Sequence, residues 1–205
     1  MILFPAILTG LIFIFEFSEN RADIYLPIDT HNRCSFEALM LTDIGRFGRW
    51  RQDRQGIPGH FHTGIDIKRP SDNDDNAVIF PMADGRVISK REDGPYAQLI
   101  IEHIFLDETV WTVYEHIAGI KISVGDSVYY NQPVARFMNR EELDRFGWQF
   151  DHLHFEILKT KPQKLKIDSA LPERRYNSYT LICYSKEKLH KYYYDPIEYF
   201  EKNWK

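Results

Sequence analysis

His152-Leu153-His154-Phe155-Glu156-Ile157 alternates polar and apolar side chains without a break. Residues two apart in a strand share a face. His152, His154 and Glu156 therefore point one way, and Leu153, Phe155 and Ile157 point into a core. Two imidazoles about 7 Å apart on one sheet face can divide the work at a metal. One binds it while the other reaches a water or a substrate. Taken alone, the same pattern also describes a pair of surface histidines.

The residues upstream read as more strands of the same kind. Val78–Met82, Arg86–Lys90, Gln98–Phe105, Val110–His116, Ser127–Tyr130, Val134–Phe137 and His152–Lys159 are short runs bounded by turn residues such as Asp84-Gly85, Gly125-Asp126 and Asn131-Gln132-Pro133. Parallel strands need long crossovers, so such close spacing calls for an antiparallel sheet. An aromatic content of 15% suits strands better than a helical bundle. Residues 139–147 look helical. A short helix is expected over Ser35 to Leu41 with Ser35 as N-cap, followed by a turn at Ile44–Arg49. Residues 160–191 are basic, aromatic and poorly periodic, which reads as an irregular insertion. Asp195–Phe200 closes the chain with a turn and a short helix.

His62-Thr63-Gly64-Ile65-Asp66 places an imidazole and a carboxylate four residues apart. Pro58-Gly59 before it and the β-branched Ile65 and Ile67 favour a turn entering a strand, with Gly64 allowing the tight backbone path. A carboxylate there would offset part of a metal's charge. His116 ends the strand Thr112–His116, where the two-residue period puts it on one face with Thr112 and Tyr114. The three segments together offer three metal ligands and spare imidazoles to move protons, as a catalytic zinc site requires. His31, His60, His103 and His190 are read as structural. His103 shares a strand face with Leu99 and Ile101.

These segments resemble the M23 family of zinc metallopeptidases, the lysostaphin or LytM type. Its motifs His-x-Gly-x-Asp, Tyr-x-His and His-Leu-His-Phe-Glu match His62–Asp66, Tyr114-Glu115-His116 and His152–Glu156, in the same order. Ala83-Asp84-Gly85-Arg86-Val87, Val124-Gly125-Asp126-Ser127-Val128 and Asp195-Pro196 resemble further family segments. The resemblance covers residues 45–158. It implies a mainly β fold, an antiparallel β-sheet platform of the LytM/lysostaphin type, here with a few short helices and the irregular C-terminal insertion. It also implies that His62, Asp66 and His154 bind one Zn2+ per chain, with His116 and His152 as catalytic residues beside the water the metal activates. The implied activity is endopeptidase cleavage of peptide cross-links in bacterial peptidoglycan. Alternatives are a non-enzymatic cell-wall binding or amidase-regulating module, and a secreted peptidase acting on proteins. The chain departs from the family at 140–151, a bulky charged and aromatic loop expected to wall the groove, and at the long stretch between Ile157 and Asp195.

The 205 residues fit one domain with a real core, or one domain plus a small appendage. A net charge of −4 and a pI near 6.1 give no electrostatic case for nucleic acid. Residues 1–15 carry no charge and are mostly apolar, so residues 1–22 read as a signal peptide or N-terminal membrane anchor. Residues 23–205 form the peptidase-like domain, with its core at 45–158 and the insertion at 160–191. The chain is expected to be exported, in the periplasm or cell envelope, with membrane anchoring through 1–15 as one option. Cys34 and Cys183 either pair or stay as free thiols.

Overall fold

The computed structural model describes residues 23–54, 56–71, 74–92 and 94–204. The expected leader or anchor at residues 1–22 lies outside them. No helix among the described residues is long and apolar enough to cross a membrane.

The strands, in chain order, are β1 (Trp50–Arg51), β2 (His60–Phe61), β3 (Ile65–Ile67), β4 (Val78–Ile79), β5 (Gly85–Arg91), β6 (Gln98–Ile104), β7 (Thr109–Glu115), β8 (Ile117–Ala118), β9 (Ser127–Val128), β10 (Ala135–Phe137), β11 (Leu153–Leu158), β12 (Gln163–Lys164), β13 (Tyr176–Asn177) and β14 (Tyr193–Tyr194). The helices are α1 (Arg140–Phe146), α2 (Lys186–Tyr192) and α3 (Pro196–Asn203). The main sheet runs β14-β11-β7-β6-β5-β9, with β3 also paired to β11. A smaller sheet, β4-β10-β8, is separate from it, and every pairing between named strands is antiparallel. The mainly β, antiparallel expectation is met.

The alternation in β11 holds. Leu153, Phe155 and Ile157 are fully buried in the main core with Ile65, Ile67, Leu99, Ile101 and Tyr114. Asp195 caps α3 by accepting from the Ile197 N–H, and Pro196 opens the helix. Phe200 of that helix then stacks on Phe155, ring centroids 6.1 Å apart. Burying a large aromatic side chain contributes roughly 1.5–3 kcal/mol, so α3 fixes the back of the strand that carries His154.

On the opposite face, Ile100, Trp111, Val113 and Leu158 pack under Cys183, Leu189 and Tyr193. The 160–191 segment is thus not irregular throughout. It holds the β12–β13 hairpin, a 3-10 turn at Thr180–Ile182, and α2, capped by Ser185. Only Leu189 of α2 is buried, which leaves too little apolar periodicity for sequence to reveal the helix.

The helix expected at Ser35–Leu41 is absent. Ser35 Oγ accepts from the Glu37 N–H (3.1 Å), and the Leu39 N–H donates to the Phe36 carbonyl (3.0 Å). These local bonds make turns instead, and Phe36 packs against Trp204. The strand expected over Val78–Met82 stops at Ile79, because the Phe80 N–H leaves the ladder for the Pro27 carbonyl (3.0 Å). Cys34 is exposed, Cys183 is buried, and both are free thiols.

Candidate active site

Register brings the motifs together. Asp66 on β3 lies directly opposite His154 on β11, so their side chains share the face away from the main core. Gly64 makes this possible. A Cβ there would collide with the Phe155 carbonyl, so only glycine lets the His62–Asp66 segment cross β11 this closely. The turn at Ile44–Arg49 clamps the segment from the other side. His62 N–H donates to the Arg49 carbonyl (2.8 Å), and Asp66 N–H donates to that of Gly45 (2.9 Å).

Three atoms converge as a result. His62 Nε2 lies 3.0 Å from Asp66 Oδ1 and 3.0 Å from His154 Nδ1, and Asp66 Oδ1 lies 2.9 Å from His154 Nδ1. All three residues are buried, and they form a group able to hold a metal ion. The outer ring nitrogens set the tautomers. His62 Nδ1 donates to the Arg46 carbonyl (3.0 Å), and His154 Nε2 donates to Glu156 Oε1 (3.1 Å). Each leaves its other nitrogen facing the cluster, the usual way a ligand imidazole is oriented. Asp66 Oδ2 is held by Arg51 at 2.7 Å, which leaves Oδ1 for the cluster.

Such a triangle of electron-pair donors needs positive charge at its centre. Burial pushes His154 down, but its hydrogen bonds to Asp66 and Glu156 outweigh that and push it up to about 10. Burial raises Asp66, yet the bonds from His154 and His62 carry its carboxyl well below the usual range. A tetrahedral ion with bonds of about 2.0 Å sets its ligand atoms about 3.3 Å apart. The observed triangle is within a few tenths of an ångström of that, and two imidazoles with a carboxylate suit zinc.

His116 and His152 lie at the edge of this cluster. Their ring centroids are 4.8 Å apart, and His116 lies 6.2 Å from His154. His152 Nε2 is 3.6 Å from Asp66 Oδ1. Burial pushes both rings down to about 4, so both are neutral at pH 7. His116 differs from its expected placement. Tyr114 faces Phe155 in the main core, and strict alternation would send His116 to that side too. The strand ends at Glu115, and His116 takes φ +63°, the only left-handed non-glycine among the described residues. That conformation, which costs roughly 1–3 kcal/mol, turns the ring to the face that carries the His62–Asp66–His154 cluster. There its Nδ1 donates to the Pro95 carbonyl (2.7 Å).

The 140–151 loop packs beside the cluster. Asn139 and Glu142 make a capping box on α1, and Phe150 in the following turn packs on His116 and Tyr96. Arg69, buried, grips Asp151 Oδ1 at 2.6 Å and the Met138 carbonyl at 2.6 Å, which anchors the residue before His152. Glu115 lies opposite His154 in the sheet, and Gln98 Nε2 donates to Glu115 Oε2 at 2.5 Å.

Of the other histidines, His103 is fully buried and bonded to the Asp84 carbonyl (2.9 Å) and Thr112 Oγ1 (2.8 Å), a structural role as expected. Sequence reasoning missed Arg51, Arg69 and Thr180. No spacing rule ties them to the motifs, and only the fold places them there.

No curated protein matches the chain. Among solved structures, lysostaphin from Staphylococcus simulans, an antimicrobial peptidase, aligns with TM-score 0.51 at 14% identity, over 89% of this chain and 56% of its own. That match shows a shared fold. A zinc-containing peptidase from Vibrio cholerae is 26% identical over 67% of this chain, with TM-score 0.46. The catalytic domain of the prophage-encoded M23 protein EnpA from Enterococcus faecalis, as a mutant, is 23% identical over 69% of this chain and 89% of its own, with TM-score 0.41. The chain spans 36% of the length of the Vibrio peptidase. The family model for peptidase family M23 matches residues 60–168, more than half of the chain and all five motif residues. The chain belongs to peptidase family M23.

Proposed function

We propose that the chain is a zinc-dependent endopeptidase that hydrolyses peptide cross-links of bacterial peptidoglycan. The observation that carries this reading is the convergence of His62 Nε2, Asp66 Oδ1 and His154 Nδ1 to within about 3 Å of one another, with two further neutral imidazoles alongside. None of the five positions is replaced, which favours an enzyme over a binding module that keeps only the fold. The substrate class rests on the motif resemblance.

His62, Asp66 and His154 hold the ion. Zinc, when bound, lowers the pKa of water toward neutrality and polarises a carbonyl. The chain's own groups do the proton work. His116 spends its Nδ1–H on Pro95, so its Nε2 is left unprotonated and able to accept a proton, as a general base must. His152 presents Nε2 toward Asp66 Oδ1. A proton on that nitrogen suits stabilisation of the oxyanion that forms on the attacked carbonyl. Tyr96 and Phe150 wall the approach and help exclude water. Peptidoglycan lies outside the inner membrane, so this reading goes with export through residues 1–22.

Purified peptidoglycan is the direct test. The zinc-loaded chain is expected to release cross-link fragments carrying new amino termini, and His154→Ala is expected to release none. Zinc-loaded protein that leaves the wall intact would overturn the substrate. Cleavage of casein alone would instead assign a protein-directed peptidase.

A further inference from the structure

Glu156 is a carboxylate buried to 1% exposure beneath the metal face. Its Oε2 has no hydrogen-bond partner among the described residues. All compensation for burying the charge therefore falls on Oε1, since an unpaired buried charge is very costly. Oε1 collects three donors: Thr63 Oγ1 at 2.5 Å, Thr180 Oγ1 at 2.7 Å and His154 Nε2 at 3.1 Å. Thr63 and His154 belong to the family motifs. Thr180 does not. It comes from the 160–191 segment, beyond the residues matched by the family model.

Thr180 is held firmly where it is. Its hydroxyl lies 2.9 Å from Ser178 Oγ and 3.0 Å from Thr63 Oγ1. The segment around it is stitched to the sheet. The Phe61 N–H donates to the Cys183 carbonyl (2.9 Å), and the Arg175 and Tyr176 N–H groups donate to Ser89 Oγ (2.9 and 3.0 Å). Lys90 also pairs with Glu173 at 2.8 Å.

We propose that Thr180 is a positioning residue for the metal centre. Its hydroxyl pins Glu156 Oε1, Glu156 Oε1 pins the His154 ring through Nε2, and the ring's Nδ1 is thereby aimed at His62 and Asp66. A carboxylate oxygen held by three donors in different directions cannot rotate, whereas one that has lost the Thr180 donor can follow the imidazole. The 160–191 segment is then a working part of the centre and not a cover that swings over the groove. This inference rests on the reading that His62, Asp66 and His154 hold zinc.

Thr180→Val keeps the shape and deletes the hydroxyl. Zinc affinity of the full chain is measured by competition with a chromophoric chelator, beside the melting temperature of the metal-free protein. The expected result is zinc binding weakened about 10-fold or more, the range for partners that orient ligand imidazoles, with Thr180→Ser restoring wild-type affinity. A purely structural hydroxyl would lower the melting temperature and leave the affinity of the folded chain unchanged, and that result overturns the proposal. Should the valine variant not fold, Thr180→Ala carries the same two readouts. A wild-type chain that binds no zinc would overturn the proposed function as well, whereas unchanged affinity in the variant overturns this inference alone.

Discussion

The two halves of the site are built in different ways. His62, Asp66 and His154 lie on or beside paired strands, and each has its second polar atom tied down, by Arg46, Arg51 and Glu156 respectively. His116 and His152 lie where strands stop. One depends on a left-handed backbone and a bond to Pro95, and the other follows a loop anchored through Arg69 and Asp151. The half proposed to match an ion is fixed by sheet register, which tolerates little error. The half proposed to meet a substrate is carried by loops, which vary without disturbing the ladder.

Substitutions should separate the halves. The largest effect is expected from His154→Ala, which removes a proposed ligand and should abolish both stoichiometric zinc and hydrolysis, read by elemental analysis and a peptidoglycan-release assay. His116→Ala and His152→Ala should keep zinc and lower the hydrolysis rate by about 10²–10⁴-fold, the range for a positioned acid–base group. Loss of zinc from either variant would show that the two halves are not independent.

His103 serves as a buried imidazole outside both halves. Burial pushes it down to about 4, against about 6.5 in an unfolded chain. Its neutral form is therefore favoured by folding. That stability is complete above about pH 6.5 and is lost as the pH falls toward 4, by about 3 kcal/mol. Denaturant unfolding of His103→Gln should show an acid limb shallower by one proton over that window. An unchanged limb would mean that this histidine is not buried neutral.

The smallest effect concerns the backbone at His116. A Cβ costs roughly 1–2 kcal/mol in the left-handed region, so His116→Gly should be more stable than His116→Ala by about 1 kcal/mol. Alanine being the more stable of the two would contradict the turned conformation.

Much of this was legible in the sequence, for physical reasons. The β11 alternation gave both faces correctly, because a strand with one dry face must follow period two. Gly64 reads in sequence as allowing a tight backbone path between His62 and Asp66, and the structure shows the reason, a close approach to the Phe155 carbonyl. His116 was placed on the wrong face, since period two says nothing about a residue whose φ turns positive as its strand ends. The stretch Ser35–Leu41 reads as a helix in sequence because a serine that caps a helix bonds locally in a turn by the same chemistry. Thr180 was invisible. Its partner Glu156 lies 24 residues away, and nothing local marks a threonine that donates to a buried carboxylate.

The central claim is that His62, Asp66 and His154 hold one zinc ion. X-ray absorption at the zinc edge of the loaded chain tests it directly. The expected spectrum has two imidazole nitrogens and one carboxylate oxygen near 2.0–2.2 Å, with one imidazole lost in His154→Ala. A sulfur ligand, or a ligand set that His154→Ala leaves unchanged, would contradict it.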